Sequence, residues 1–394
     1  LRKKSESEGI LMNVSLPEQF ENFSEARRQG FLRVKNIKDQ GGLIAGIFCT
    51  FTPLEVLDAA GIIPVSLCGM SNETVADAEA VLPKNLCPLI KSSYGFAVSG
   101  KCPYTYFSDL IVGETTCDGK KKMYELLGRL KKTFILHLPQ GADYDYSLSM
   151  WISELRRFMA YLQETFHAEI SEDKLREAAR KRNEERQLRC ELMRLQQLTP
   201  PPMTGYQLYK TLEGAGFKFY HEEIMASLRQ LRDSVEQSYA QGARPVAAGA
   251  KRILITGCPI GGVLDKTVKI LEEKGGAVVC FENCSGYKAA YQLVDADAPD
   301  IVASIARRYL EIGCAVMTPN TKRMELLPKL AKEFQADGIV EVLLQSCQPY
   351  SVESAEVREL SEKLGLPYLS VETDYSSTDL GQLSTRLEAF LELL

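Results

Sequence analysis

From Gly42 onward the chain alternates short, wholly apolar runs with amphipathic ones. GLIAGIFC, IIPVSLC, DLIVGE and TFILHL are apolar runs of strand length, and the segments between them carry apolar residues at helical spacing. This pattern predicts strands over 43–49, 62–67, 109–113 and 133–138. Between them it predicts the helix PLEVLDAAG, with Pro53 near its first position and Gly61 as its stop, then PLIKSSYGFAV after Cys87, then a helix over 120–130. A second series opens at Arg252, with strands over 252–256, 277–281, 338–344 and 368–372. Its helices are expected over 265–274, 301–312, 322–334, 352–364 and from Thr378 to the end. Apolar strands alternating with helices predict parallel sheets covered on both faces.

Between the two series the rhythm changes. SMWISELRRFMAYLQETF, the charged run from Ser171 to Leu198, and HEEIMASLRQLRDSVEQSYAQG read as long amphipathic helices laced with charge pairs four residues apart. TPPPM makes a stiff break among them. The expected architecture is α/β: two doubly wound parallel-sheet domains facing a cleft, with an N-terminal helix and a helical insertion between them. The boundaries read as 1–41 for an N-terminal arm and helix (18–40), 42–146 for the first α/β domain, 147–248 for the insertion and 249–394 for the second α/β domain.

Charge excludes one class of partner. The formal net charge is −5, so no basic field attracts nucleic acid. No apolar run approaches the ~20 residues a membrane helix requires. LRKKSESEG lacks the apolar core of a secretory signal, so cytoplasm is the expected location.

Chemistry enters with the cysteines, of which there are 11 against 3 histidines and no C-x-x-C pair. That balance disfavours zinc, and an odd count in a reducing compartment disfavours a disulfide framework. Cys49, Cys68, Cys117, Cys258, Cys284 and Cys347 fall at or just past predicted strand ends, while Cys87 and Cys314 fall in loops before helices. All eight are therefore expected at the cleft, where strand carboxyl ends gather ligands and helix N-termini favour thiolates. Cys102 is expected near the opposite sheet edge, Cys280 inside a strand, and Cys190 in a structural role on a charged helix. Iron–sulfur chemistry suits such a thiol set.

Other motifs add less. No P-loop sequence is present, and GCPIGG departs from G-x-G-x-x-G, its glycines being accounted for by a tight turn. GKKKM at 119–123 reads as a solvated helix start rather than a dock for an acidic partner, and His137 as a hydrogen-bonded strand-end residue. Tyr94, Glu114, His137 and Glu282 lie near enough to the cysteines to support them, with packing or capping as the simpler role.

Several segments carry a family resemblance: FCTFTPLEVLDAAGIIPVSLCG, LPKNLCPLIKSSYGFAVSGKCPYTYFSDLIVGETTCDGKKKMYELL, CFENCSG, YLEIGCAVMTPN, LLQSCQPYSVES and ETDYSSTDLGQLSTRLEAF. From about Gly46 onward the chain resembles the 2-hydroxyacyl-CoA dehydratase D-component superfamily, and within it the double-cubane cluster protein branch. The resemblance implies that Cys87, Cys117 and Cys347 match the three ligands of a single 4Fe–4S cubane. The double-cubane branch joins two cubanes through a bridging sulfide and needs three further thiolates. Cys49, Cys284 and Cys314 are assigned to them by their place at the cleft, with Cys258 and Cys68 in reserve. The resemblance further implies a homodimer that reduces small molecules at an 8Fe–9S double-cubane cluster, its electrons injected by a separate iron–sulfur activator ATPase. The alternatives it leaves are a 2-hydroxyacyl-CoA dehydratase subunit, a lyase with one 4Fe–4S cluster, and a non-catalytic iron–sulfur electron carrier.

Overall fold

The computed structural model describes residues 32–394. The expected N-terminal arm lies outside the described residues, and of the helix expected over 18–40 the part over 32–39 is helical. Two four-stranded sheets follow, every pairing in them parallel. The first contains β1 (Leu43–Ile47), β2 (Ile62–Ser66), β3 (Leu110–Glu114) and β4 (Thr133–Leu136) in the order β2-β1-β3-β4. The second contains β5 (Lys251–Gly257), β6 (Gly276–Phe281), β7 (Gly338–Leu344) and β8 (Tyr368–Thr373) in the order β6-β5-β7-β8. The two sheets share one topology. In each, the order reverses beside the first strand, so consecutive crossovers run to opposite sides and open a crevice at the strand carboxyl ends. This α/β class, with helices alternating between strands, is the one expected.

Burial follows strand position. Central β3 and β7 are buried along their whole length, whereas outer β2 and β8 expose alternate residues. Outer β6 is nevertheless fully buried, because Gln196 donates to the carbonyl of Val278 (3.2 Å) and Gly205 abuts the same residue. Covering an exposed strand edge in this way removes an aggregation template.

Helices follow in chain order: α1 (Leu54–Ala59), α2 (Pro88–Val98), α3 (Asp118–Leu127), α4 (Ser147–Phe166), α5 (Glu172–Arg194), α6 (Gly205–Ala215), α7 (His221–Ala240), α8 (Ile301–Leu310), α9 (Thr321–Glu333), α10 (Gln348–Leu364) and α11 (Leu380–Glu392). Helix α6 is absent from the sequence reading. Its signal was there, because Thr204 and Gln207 form a reciprocal capping box at its start. The helix expected over 265–274 is a π-helical turn, Asp265–Lys269, running into one α-helical turn.

Helix α5 ties the sheet units together. Arg182 grips Asp58 beside α1, and Arg186 meets the buried carboxylate of Glu55 at 2.6 Å. From α8, the Tyr309 hydroxyl donates to Glu55 (2.8 Å) and accepts from the backbone N–H of Leu54 (2.9 Å). A second tie joins loops, with the N–H of Thr318 donating to the carbonyl of Gln140 at 2.7 Å. A third is a backbone approach: a Cβ on Gly262 would lie 2.3 Å from the carbonyl oxygen of Met70. The GCPIGG glycines therefore serve close packing. Gly257, at φ +103, likewise sits where a Cβ would meet the Val342 carbonyl at 2.4 Å. Among the described residues no helix is long and apolar enough to cross a membrane.

Candidate iron–sulfur site

Three cysteines are set by helix starts. Cys87, Cys117 and Cys347 are the N-cap residues of α2, α3 and α10, with proline in the first turn of α2 and α10. A helix N-terminus presents unpaired N–H groups and a positive dipole end, both suited to sulfur that carries negative charge. The N–H groups of Leu89 and Ile90 bond the Cys87 sulfur, and that of Tyr350 bonds Cys347. Ser346 adopts φ +59, and this left-handed turn carries the chain from β7 onto the cap at Cys347. The sequence placed Cys347 at a strand end but started its helix at Val352, four residues too late to show the cap.

The thiols fall into two sets. Cys87 bonds Cys347, and Cys347 bonds Cys258, so one set draws on both sheet units. In the other set Cys49 feels both Cys314 and Cys284, and those two also face the Tyr350 ring. The Tyr350 hydroxyl lies 3.8 Å from the Cys314 sulfur. Cys117 makes no side-chain hydrogen bond among the described residues. Its helix start does lie alongside α2, since Gly119 faces Ile90 and Leu86, the residue before Cys87. Cys258 thus stands where the sequence reading kept it in reserve. Cys68 donates to the carbonyl of Phe48 at 3.2 Å. Cys190 and Cys280 are buried in the core, as expected. Cys102, expected at the far edge, lines a cavity together with Cys68 and Cys284, so it lies nearer the crevice than strand direction alone suggested.

Electrostatics hold these thiols neutral in the protein alone. A thiol–thiol bond with Cys347 and then burial push Cys87 up, and the bond with Cys258 pushes Cys347 up. Burial raises Cys49, Cys68 and Cys284 as well. Buried cations oppose that trend. Lys120 turns inward and donates to the carbonyl of Phe48 at 2.9 Å, facing Cys49, Cys68 and Glu114. The expectation that GKKKM is a solvated helix start holds for Lys121 and Lys122, which pair with Asp118 and Glu125, and fails for Lys120. The reason is helical geometry, which sends only one of three consecutive side chains toward the sheet edge. Glu114, fully buried, accepts from Thr52 and is pushed up to about 7 by burial.

Behind Cys284 and Cys314 lies a buried ionic cluster. Lys288 donates to the Tyr350 hydroxyl at 2.6 Å and pairs with Glu282 at 3.2 Å. Arg323 reaches Glu282, Glu341 and Glu353, and donates to Thr256 at 2.8 Å. Of this cluster the sequence reading named only Glu282. His137 is exposed, its backbone N–H bonded to Glu154, and Tyr94 packs in the core.

Thiolates from two sets, flanked by buried lysines and helix N-termini, fit an anionic iron–sulfur group. Three buried polar atoms support that fit: the hydroxyls of Thr50, Thr116 and Tyr375 have no partner among the described residues. The first two adjoin Cys49 and Cys117 in sequence, and Tyr375 is within electrostatic reach of Cys87, Cys68 and Cys258. Among the described residues no three His, Cys, Asp or Glu side chains close around a point to hold a single metal ion. Zinc-like coordination is therefore not what this arrangement offers.

Residues 49–394 match the family described as "2-hydroxyglutaryl-CoA dehydratase, D-component". The chain is 47% identical over 382 residues to YjiM of Escherichia coli (strain K12), provisionally named a dehydratase subunit, covering 97% of this chain and 99% of that protein. It is 23% identical over 258 residues to the beta chain of (R)-phenyllactyl-CoA dehydratase from Clostridium sporogenes, covering 65% and 67%. Similarity of 26% over 178 residues extends to a component of benzoyl-CoA reductase from Thauera aromatica, covering 42% and 40%.

Proposed function

The chain belongs to the 2-hydroxyglutaryl-CoA dehydratase D-component family, and from that premise we propose that it is an iron–sulfur oxidoreductase that reduces small molecules. Its electrons come from a separate activator ATPase, and it works as a homodimer in the cytoplasm. The observation that carries this reading is the pair of thiol sets, one built from Cys87, Cys347 and Cys258, the other from Cys49, Cys284 and Cys314. One three-ligand cubane would leave half of these thiols without a task. Two cubanes, joined as an 8Fe–9S cluster, would use them all.

The proposed ligands are Cys49, Cys87, Cys117, Cys284, Cys314 and Cys347, with Cys258 competing with Cys117 for the place beside Cys87 and Cys347. When bound, the group supplies electrons at low potential, tuned by charge and by hydrogen bonds to sulfur. The chain's own residues do the rest. Backbone N–H groups of Leu89, Ile90 and Tyr350 stabilise thiolate at Cys87 and Cys347. Lys120 and Lys288 offset the negative charge that gathers on the other set. Loading releases thiol protons, so affinity for iron rises with pH.

A second reading follows from the relatives named as dehydratases: one 4Fe–4S cluster in a subunit that eliminates water from a 2-hydroxyacyl-CoA. Iron and sulfide counts on anaerobically purified protein separate the two. About eight irons per chain support the first and about four the second. Cys284→Ser lowers the count in the first case and leaves it unchanged in the second. Comparing Cys258→Ser with Cys117→Ser identifies the ligand at the contested place. Protein that binds no iron under these conditions overturns both readings.

A further inference from the structure

A cavity of about 440 Å³ runs from Cys284 and Cys68 to a wall of arginines on α5 and α8. Its size falls within the range of small-molecule sites. Apolar side chains, among them Leu54, Leu67, Phe96, Met193 and Leu212, make up much of the surface between those two ends.

The arginines are unequal in their partners. Arg182 pairs with Asp58 and Glu185, and Arg189 pairs with Glu185. Arg186 pairs with Glu55. Arg308, only 4% exposed, has no carboxylate partner among the described residues. Its guanidinium donates to the carbonyls of Ala289 and Gln292 and lies 4.5 Å from the ring of Tyr309. Arg186 stands close enough to repel it, so two buried guanidinium groups share the field of a single carboxylate, Glu55. A buried charge without a counter-ion is costly, and an anionic ligand in the cavity would remove that cost. Burial and Arg186 lower Arg308 to about 10, which still leaves it cationic at neutral pH.

We propose that this cavity binds a small organic carboxylate, its anionic head on Arg308 and its hydrocarbon part along the apolar wall toward Cys284. This deepens the reading above by naming the class of molecule presented to the sulfur centre. An inorganic oxyanion would satisfy Arg308 but leave the apolar wall unused, and a neutral molecule would leave Arg308 uncompensated.

Calorimetric titration of the iron-loaded protein with hexanoate, hexanamide and inorganic phosphate tests the assignment. Hexanoate should bind saturably, with the amide and phosphate each weaker by about tenfold or more, the share of one charge-assisted contact or of the buried chain. Arg308→Gln should weaken hexanoate by about tenfold. Ala289→Leu, which fills the cavity and keeps the carbonyl that Arg308 uses, should weaken it too, and it serves if Arg308→Gln does not fold. Absence of saturable hexanoate binding to the wild type overturns the proposal, as does equal binding of the amide or of phosphate, or retention of full affinity in folded Arg308→Gln or Ala289→Leu. The iron count is measured on the same samples. Failed binding with iron in place sinks this inference alone, whereas binding without iron sinks the cluster reading alone.

Discussion

Removing Arg323 should cost the fold about 3–5 kcal/mol, the range for breaking a buried pair by deleting one partner. Arg323 and two of its acidic partners, Glu282 and Glu341, are fully buried. In Arg323→Met those two fare differently. Glu282 keeps Lys288 at 3.2 Å and the Thr256 hydroxyl at 2.6 Å. Glu341, in the middle of β7, keeps only the Tyr368 hydroxyl at 2.5 Å. One carboxylate is stranded rather than two, so the single-partner range applies without doubling. Adding Glu341→Gln removes the stranded charge and should restore on the order of 1–3 kcal/mol, the scale of coupling between contacting residues. Urea unfolding measures both. Far-ultraviolet circular dichroism must be followed as well as fluorescence, because the sole tryptophan, Trp151, lies in α4 and reports on the helical block. The free energies are comparable only where the two transitions coincide. A loss below about 1 kcal/mol in Arg323→Met, or a double variant no more stable than the single one, would refute the claim that this cluster is held by a compensated charge.

Three further outcomes follow from single residues. Glu114 is raised from 4.5 to about 7 by burial, so the folded state holds its proton more tightly than the unfolded state; its contribution is complete below pH 4.5 and declines as pH rises through 7. Glu114→Gln should therefore flatten the fall in stability across that window, and an unchanged pH profile in urea melts would count against it. Lys120→Met should move the midpoint potential of the iron-loaded protein to more negative values, while Lys120→Arg keeps it near wild type; an anaerobic redox titration showing no shift, or a positive one, contradicts the role given to that cation. Gly262→Ala places a carbon where the Met70 carbonyl stands, so it should cost about 1–3 kcal/mol of stability or loosen the contact between sheet units, and wild-type stability would remove that contact from the account.

Strand by strand, the alternation of apolar runs with helices predicted all eight parallel strands, because a strand buried on both faces must be apolar along its length. Order within the sheets was not legible. It depends on which way each crossover turns, and no local residue encodes that turn. Order matters here because the reversal beside β1 and beside β5 directs the loops after four central strands into one crevice. Cys49 and Cys117 follow β1 and β3, and Cys258 and Cys347 follow β5 and β7. The cysteines could therefore be named from their positions after strands, yet their partition into two sets could not. Cys258 meets Cys347 only because β5 and β7 are hydrogen-bonded neighbours, with Gly257 opposite Val342. Lys120 and Arg323 escaped the sequence reading for a related reason: each sits in a charged stretch that looks solvated, and only the packed fold turns that one side chain inward. Glu341 was the clue available, a lone acid within the apolar strand GIVEVLL, which demands a buried cation from elsewhere in the chain. The same reasoning run in reverse singles out Arg308, a buried cation for which the chain supplies no acid.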